Sequence, residues 1–256
     1  MALITLLTDF GERDYDVGIF KGYLYSASPS SKVIDISHTI PPYDIVTGGF
    51  FLKNIFRQFP QGTIHIARVY EQGLNSQRIL AAKFQNHFFI APDNGILTLV
   101  FDDKPDLMVE VDIKQAKLNT IDEYYCRVVK EITFNNNIGS IGVATQKYLE
   151  RKAMIPVIQA DRIVGTVAYI DNFGNAITNI HKEEVDRIAK GKKFSINYKK
   201  NDFLDTIVQN YSDVPLSYSL ARFNNLGFLE LCINCGHAGD LLGLMKGDSI
   251  QIIFEA

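Results

Sequence analysis

The sequence predicts an α/β N-terminal domain with a mostly parallel sheet, followed by a small C-terminal β-barrel domain. Three observations carry this expectation. Through the first 150 residues short apolar strands alternate with helical patterns, as in a layered α/β unit. Beyond residue 156 the chain breaks into many short strands with Gly and Asn turns, which suits a small closed or nearly closed barrel. Between the two, the charged and proline-containing segment 150–156 marks a boundary, so the expected domains are 1–152 and 153–256.

In order, residues 3–7 form an apolar strand ending at Thr8-Asp9-Phe10-Gly11, and Asp14 is a plausible N-cap for a helix through Phe20 and Leu24 to the Ser28-Pro29 stop. Residues 33–36 read as a strand, and Pro41-Pro42-Tyr43-Asp44 leads into a second helix through Phe51, Leu52 and Phe56. Strands are expected at 63–69, 79–84, 88–91 and 108–111, then a helix near 138–149. The second half predicts strands at 162–170, 176–180, 194–198, 206–211, 228–233 and 249–254, with one helix at 182–189. Ligands of such parallel sheets gather at the carboxyl ends of the strands, where Asp9, Ser37-His38 and Tyr70-Glu71 fall. No GxGxxG follows the first strand, which weakens a dinucleotide reading.

The 256 residues carry 26 basic and 29 acidic side chains, a formal charge of −3, with 46% hydrophobic and 11% aromatic content. That supports a buried core and argues against disorder and against nucleic-acid binding. The cluster Lys190, Lys192, Lys193, Lys199 and Lys200 reads as a solvated face rather than a phosphate site. No apolar run approaches bilayer length and the N-terminus lacks a basic leader, so a soluble, cytoplasmic chain without membrane contact is expected. Cys126, Cys232 and Cys235 are too few for a disulfide scaffold, and Cys232-Ile-Asn-Cys235 reads as strand packing rather than a metal or redox motif.

Seven segments, in order and nearly spanning the chain, carry a resemblance. They are ITLLTDFG (4–11), GIFKG (18–22), VIDISHTIPPYDI (33–45), FPQGTIH (59–65), APDNGILT (91–98), YIDNFGNAITNI (169–180) and NNLGFL (224–229). Together they resemble the S-adenosylmethionine hydroxide adenosyltransferases and the related fluorinases and chlorinases. The resemblance implies displacement of neutral methionine from the sulfonium by water or halide at the ribose 5′ carbon. It also implies no metal and no cofactor beyond S-adenosylmethionine as substrate or ligand. A homotrimer is implied as well, with the ligand between one subunit's N-terminal and a neighbour's C-terminal domain.

By the same resemblance Asp9 is the ribose-binding carboxylate, Tyr43 an aromatic against sugar and adenine, Phe173 a stacking ring, and Asn175 an amide meeting adenine's paired edge. Asn225 and Cys235 fall at positions meeting adenine or methionine, and Phe134 joins the ligand-contacting set. Asp14 and Asp16 lie near positions for the amino-acid end of the ligand, with helix capping an equally good account. His38 reads as structural.

The water-activating Asp, Arg and His of the hydroxide-forming branch map to Tyr70, Arg78 and Asn135. A phenol is neutral at pH 7, and an amide does not titrate, so neither replaces the base. Glu71 is a candidate substitute for the Asp, and Arg78 a candidate partner for it. The expectation is weak or altered hydrolysis of S-adenosylmethionine, with a non-catalytic S-adenosylmethionine or adenosine binder as the alternative and a halide-dependent reaction ranked below both.

Overall fold

A computed structural model describes residues 2–72, 77–112 and 120–255. The chain divides into two compact units, Met1–Ala153 and Met154–Ala256. The first contains β1 (Leu3–Thr8), α1 (Asp16–Ala27), β2 (Lys32–Ser37), α2 (Ile45–Ile55), β3 (Ile64–Arg68), β4 (Ile79–Phe84), β5 (His87–Pro92), α3 (Ile96–Val100), β6 (Leu107–Val111), α4 (Ile121–Asn135) and β7 (Gly142–Ala144). Its sheet runs β2-β1-β3-β5-β4-β6-β7. The first four neighbours pair in parallel and the last three join antiparallel, giving a mixed, mostly parallel sheet.

Both faces of this sheet are covered. On one, Phe20 and Leu24 of α1 and Tyr125, Val128, Val129 and Ile132 of α4 bury against Ile4, Leu6, Ile64, Ile66 and Ile90. On the other, α2, the 3-10 turn after it and α3 bury Leu52, Phe56, Ile96 and Leu99 against Leu7, Ala67, Phe89 and Ala91. Within that second layer His65 is fully buried, its Nδ1 2.8 Å from Thr5 Oγ1 and its Nε2 3.1 Å from His87 Nδ1.

Local chemistry explains the helix starts. Asp44 caps α2 by accepting from Thr47 N–H and Oγ1–H at 3.1 and 2.7 Å, and Thr120 caps α4 through Glu123 N–H. For α1 the expected cap is replaced: Tyr15 is the N-cap residue with no side-chain cap bond, and Asp14 lies one residue earlier. Asp16 in the first turn complements the helix dipole instead.

The expected helix at 138–149 is absent, and the helix of this region is α4, upstream. Its β-branched and aromatic composition hides it, yet Tyr124, Tyr125, Val128, Val129 and Ile132 fall on one buried face at helical spacing. Residues 142–144 form the edge strand β7. A Cβ on Gly142 would lie 1.8 Å from Glu110 O, so only glycine lets the two backbones approach this closely.

The second unit holds β8 (Val157–Ile158), β9 (Arg162–Ile170), β10 (Ala176–His181), α5 (Lys182–Ala189), β11 (Phe194–Asn197), β12 (Phe203–Leu204), β13 (Ser219–Phe223), β14 (Phe228–Ile233), α6 (Ala238–Leu241) and β15 (Ser249–Phe254). The strands run antiparallel in the order β12-β11-β15-β9-β10-β14-β13, with β8 beside β9. A bridge between Ile207 and Ala221 brings the two ends together, so the sheet is a nearly closed barrel around Ile163, Val167, Ile180, Leu229, Leu231 and Ile252. The expected strand at 206–211 reduces to that bridge plus a 3-10 turn at Tyr211–Asp213, where Asp213 accepts from the N–H groups of Gln209 and Asn210. The strand that completes the sheet is β13.

Candidate functional site

In the first unit β1 sits between β2 and β3, so the chain leaves β1 toward one side and β3 toward the other. This is a topological switch point, the place beyond the carboxyl ends of the strands where open α/β sheets bind ligands. Asp9 follows β1 directly, and Thr8 is in register with Arg68 at the end of β3. Asp9 Oδ2 accepts two backbone hydrogen bonds, from Tyr43 N–H at 2.9 Å and Tyr70 N–H at 3.0 Å. Both donors come from residues with left-handed backbone, φ 68° at Tyr43 and 54° at Tyr70, and their rings meet edge to face at 5.5 Å. Non-glycine residues held in this region mark a loop whose surroundings dictate its shape. One carboxylate oxygen is thus committed to the protein, and the other oxygen belongs to a partly exposed side chain flanked by two tyrosines.

The loop at Tyr70 is anchored from behind. Asn94, buried at the end of β5, donates to Val69 O and Tyr70 O at 2.8 and 3.3 Å, and Gln72 Nε2 donates to the Tyr70 hydroxyl at 3.1 Å. Arg68, only 3% exposed, donates to Glu71 Oε2 through both Nε and Nη2, at 3.0 and 2.5 Å, and to Asp122 Oδ1 at 2.5 Å. Its guanidinium lies over the rings of Phe10, Phe20 and Tyr125, and Tyr125 donates to Glu71 Oε1 at 2.8 Å. Burial opposes the Arg68 charge, but the carboxylate of Glu71 beside it dominates with its neighbours, and its pKa is raised. Burial and then the Glu71 charge push the Tyr125 phenol well up, so it remains a donor.

On the same edge, His38 Nδ1 is 2.9 Å from Thr8 Oγ1, and its backbone O accepts from Gly11 N–H at 2.7 Å. Its Nε2 lies 3.0 Å from Asp35 Oδ1 without hydrogen-bond alignment. Asp14 and Asp16 are exposed in the loop and first turn after β1.

The second unit has a separate cavity of about 620 Å3 lined by Phe173, Asn175, Tyr211, Ile233, Asn234, Cys235, Gly236 and His237. Asp171 builds one wall by accepting from Phe173 N–H, Asn175 N–H and Asn175 Nδ2 at 2.9, 2.8 and 3.0 Å. This holds the buried Asn175 amide in one orientation and leaves the Phe173 ring 77% exposed. Gly174 has φ +85°, and a Cβ there would meet the His237 ring at 2.2 Å, so glycine is required where the turn crosses His237. Behind the cavity, buried Glu230 accepts from Tyr211 and Arg222, each at 2.8 Å. Burial, with Glu230 next, pushes the Cys232 thiol up and out of reach of ionisation, whereas Cys235 is exposed at the rim.

Asp9, Tyr43 and Tyr70 therefore meet at one edge, and Phe173, Asn175 and Cys235 meet at another. Other expected residues are placed elsewhere. Arg78 donates to Glu110 at 2.8 Å, to Lys147 O at 2.8 Å and to Asp93, not to Glu71. Asn135 donates to Glu131 at 2.7 Å at the C-terminal end of α4, beside a Phe134 that is 75% exposed. Arg68 binds the opposite end of that helix, about 20 Å away at 1.5 Å per residue, so Asn135 and Phe134 stand apart from Asp9 within the unit. Asn225 lies in the turn before β14 and lines another cleft with Lys182 and Phe223, whereas Asn175 precedes Ala176, which pairs with Leu231 toward the other end of β14. The network of Arg68, Glu71, Asp122 and Tyr125 is new relative to the sequence reading, although an arginine inside the apolar run 64–69 was a visible anomaly. Among the described residues no group of three or more His, Cys, Asp or Glu is placed to hold a metal, and no helix is long and apolar enough to cross a membrane.

These features define a two-unit class of protein: a parallel-sheet unit with a clamped carboxylate at its switch point, joined to a barrel with an aromatic cavity. Residues 4–129 match the S-adenosylmethionine hydroxide adenosyltransferase N-terminal domain and residues 165–251 the matching C-terminal domain, so the chain belongs to that family. It is 28% identical to an (R)-S-adenosyl-L-methionine hydrolase of Methanocaldococcus jannaschii, over 98% of this chain and 96% of that protein. It is 23% identical to a fluorinase of Nocardia brasiliensis, over 98% and 96%. The fold is shared with an uncharacterized conserved protein from Thermotoga maritima, at TM-score 0.87 and 24% identity over 98% and 99% of the two chains.

Proposed function

We propose that this chain binds S-adenosyl-L-methionine and hydrolyses it slowly to adenosine and L-methionine, as a cytoplasmic homotrimer using no metal or further cofactor. The observation that carries the reading is the Asp9 carboxylate, clamped on Oδ2 by the N–H groups of Tyr43 and Tyr70. A carboxylate held this way presents its second oxygen to a vicinal diol and lends negative potential to a carbon from which neutral methionine departs. Phe173 and the oriented Asn175 amide suit a purine face and its donor–acceptor edge, supplied in the trimer by a neighbouring chain.

Slowness follows from the engagement of the groups expected to activate water. Glu71 is engaged by Arg68 and Tyr125, Arg78 by Asp93 and Glu110, and Asn135 carries a non-titrating amide. Fixing the ribose and aligning water remain available as rate terms, while proton removal by a dedicated base does not. The same three placements favour the second reading, a binder without turnover.

Product chromatography after long incubation of the purified protein with S-adenosyl-L-methionine tests this. Equimolar adenosine and methionine should accumulate in proportion to protein, independent of chloride, and vanish in Asp9→Ala. Calorimetric binding without adenosine replaces hydrolysis by the binder reading, a product formed only with chloride replaces it by halide transfer, and no heat with any adenosyl ligand removes all three.

A further inference from the structure

We infer that Arg68 is the positioning residue of the Asp9 site, setting its geometry from beneath by gripping the residues that follow Asp9 and Tyr70. Its guanidinium carbon lies 4.9 Å from the ring centroid of Phe10, the residue after Asp9, and it forks onto Glu71, the residue after Tyr70, through Nε and Nη2. Its own carbonyl accepts from Asp9 N–H at 3.4 Å. One buried side chain thus holds both partners of the Tyr70 N–H to Asp9 hydrogen bond in register.

The surroundings suit this task. Asp122, in the first turn of α4, takes the third arm of the guanidinium at 2.5 Å, so the grip is referenced to a helix packed on the sheet. The guanidinium carbon lies 4.4 and 4.7 Å from the ring centroids of Phe20 and Tyr125, which meet edge to face, and the Tyr125 hydroxyl fixes the other oxygen of Glu71 at 2.8 Å. A lysine in this place would keep the charge but lose the planar fork and the stacking. The Arg68 side chain is buried and acts through Glu71 and Phe10, the residues next to Tyr70 and Asp9. That Asp9 faces an adenosyl ligand rests on the reading given under Proposed function.

The test uses the full chain with Arg68→Lys, Glu71→Gln and the double variant, and with Arg57→Gln as a surface-pair control. Amide hydrogen exchange at Tyr70 reads the geometry without any ligand, and calorimetry with S-adenosyl-L-methionine reads the site. Both single variants should speed Tyr70 exchange at least tenfold while Ile64 and Ile66 in β3 stay protected, and should weaken binding at least tenfold. The double variant should show no further loss, because the two residues act as one unit. A lowered melting temperature with Tyr70 exchange and affinity within twofold of the parent overturns the inference, as does faster exchange with unchanged affinity. If the parent binds no adenosyl ligand, the functional reading fails, and Tyr70 exchange alone then decides whether Arg68 sets this geometry.

Discussion

The two candidate sites are built by opposite means. At the carboxyl end of β1 a charge is held by backbone donors from two distant loops, and a buried ion network beneath fixes those loops. In the barrel the cavity is made by two short turns, 171–175 and 233–237, whose members hydrogen-bond mainly to near neighbours in sequence. The first is defined by electrostatics and long-range register, the second by shape and a locally oriented amide. Damage to each should therefore look different.

The largest effect should come from Arg68→Met, which leaves Glu71 and Asp122 in a buried setting without their cation. Urea unfolding should show a loss of about 3–5 kcal/mol. Arg222→Met should cost less, since it strands one carboxylate, Glu230, where Arg68→Met strands two; equal losses would erase the contrast between the units.

Next, Asp9→Ala should weaken binding of S-adenosyl-L-methionine about 100-fold by calorimetry, near the 1.5–3 kcal/mol of a hydrogen bond to a charged group. Its effect on unfolding should be small.

In the barrel, Gly174→Ala forces a methyl against His237 at a positive φ and should cost about 1–3 kcal/mol in the thermal melt, with loss of adenosine binding. Unchanged binding would show that this turn does not shape the cavity.

A smaller and pH-dependent term belongs to the first unit. Burial, and then the charge of His87, lowers the pKa of His65 to about 3. The unfolded chain therefore takes up this proton first, so the contribution is complete above pH 6.5 and is lost as pH falls toward 3. The slope reaches about 1.4 kcal/mol per pH unit at most, and stability curves of His65→Gln should be flatter over that range. Last, Asn225→Ala should change adenosine affinity less than twofold, since it lines a different cleft from Asn175.

The layered first half and the β-rich second half were readable because alternation of apolar runs and turn residues is local information. Phe173, Asn175 and Cys235 were named through the family resemblance and not through local patterning, and they are close in the fold partly because the turns that carry them flank the paired strands β10 and β14. The α4 helix was not readable, because its Tyr-, Val- and Ile-rich sequence favours extended structure until packing against α1 and the sheet selects the helix. The extended path of 142–149 was hidden for the same kind of reason: Arg78 and Asp93 hold it from 50 or more residues away in sequence.

Sequence alone determined the two-part architecture, the family resemblance and the position of Asp9 at a strand end, since these depend on residue order and short-range patterning. Only the tertiary structure decided which charges pair. Arg68 took Glu71 and Asp122, and Arg78 took Asp93 and Glu110. A buried charge is stable only beside its counter-ion, and which carboxylate arrives there is set by strand register and helix packing.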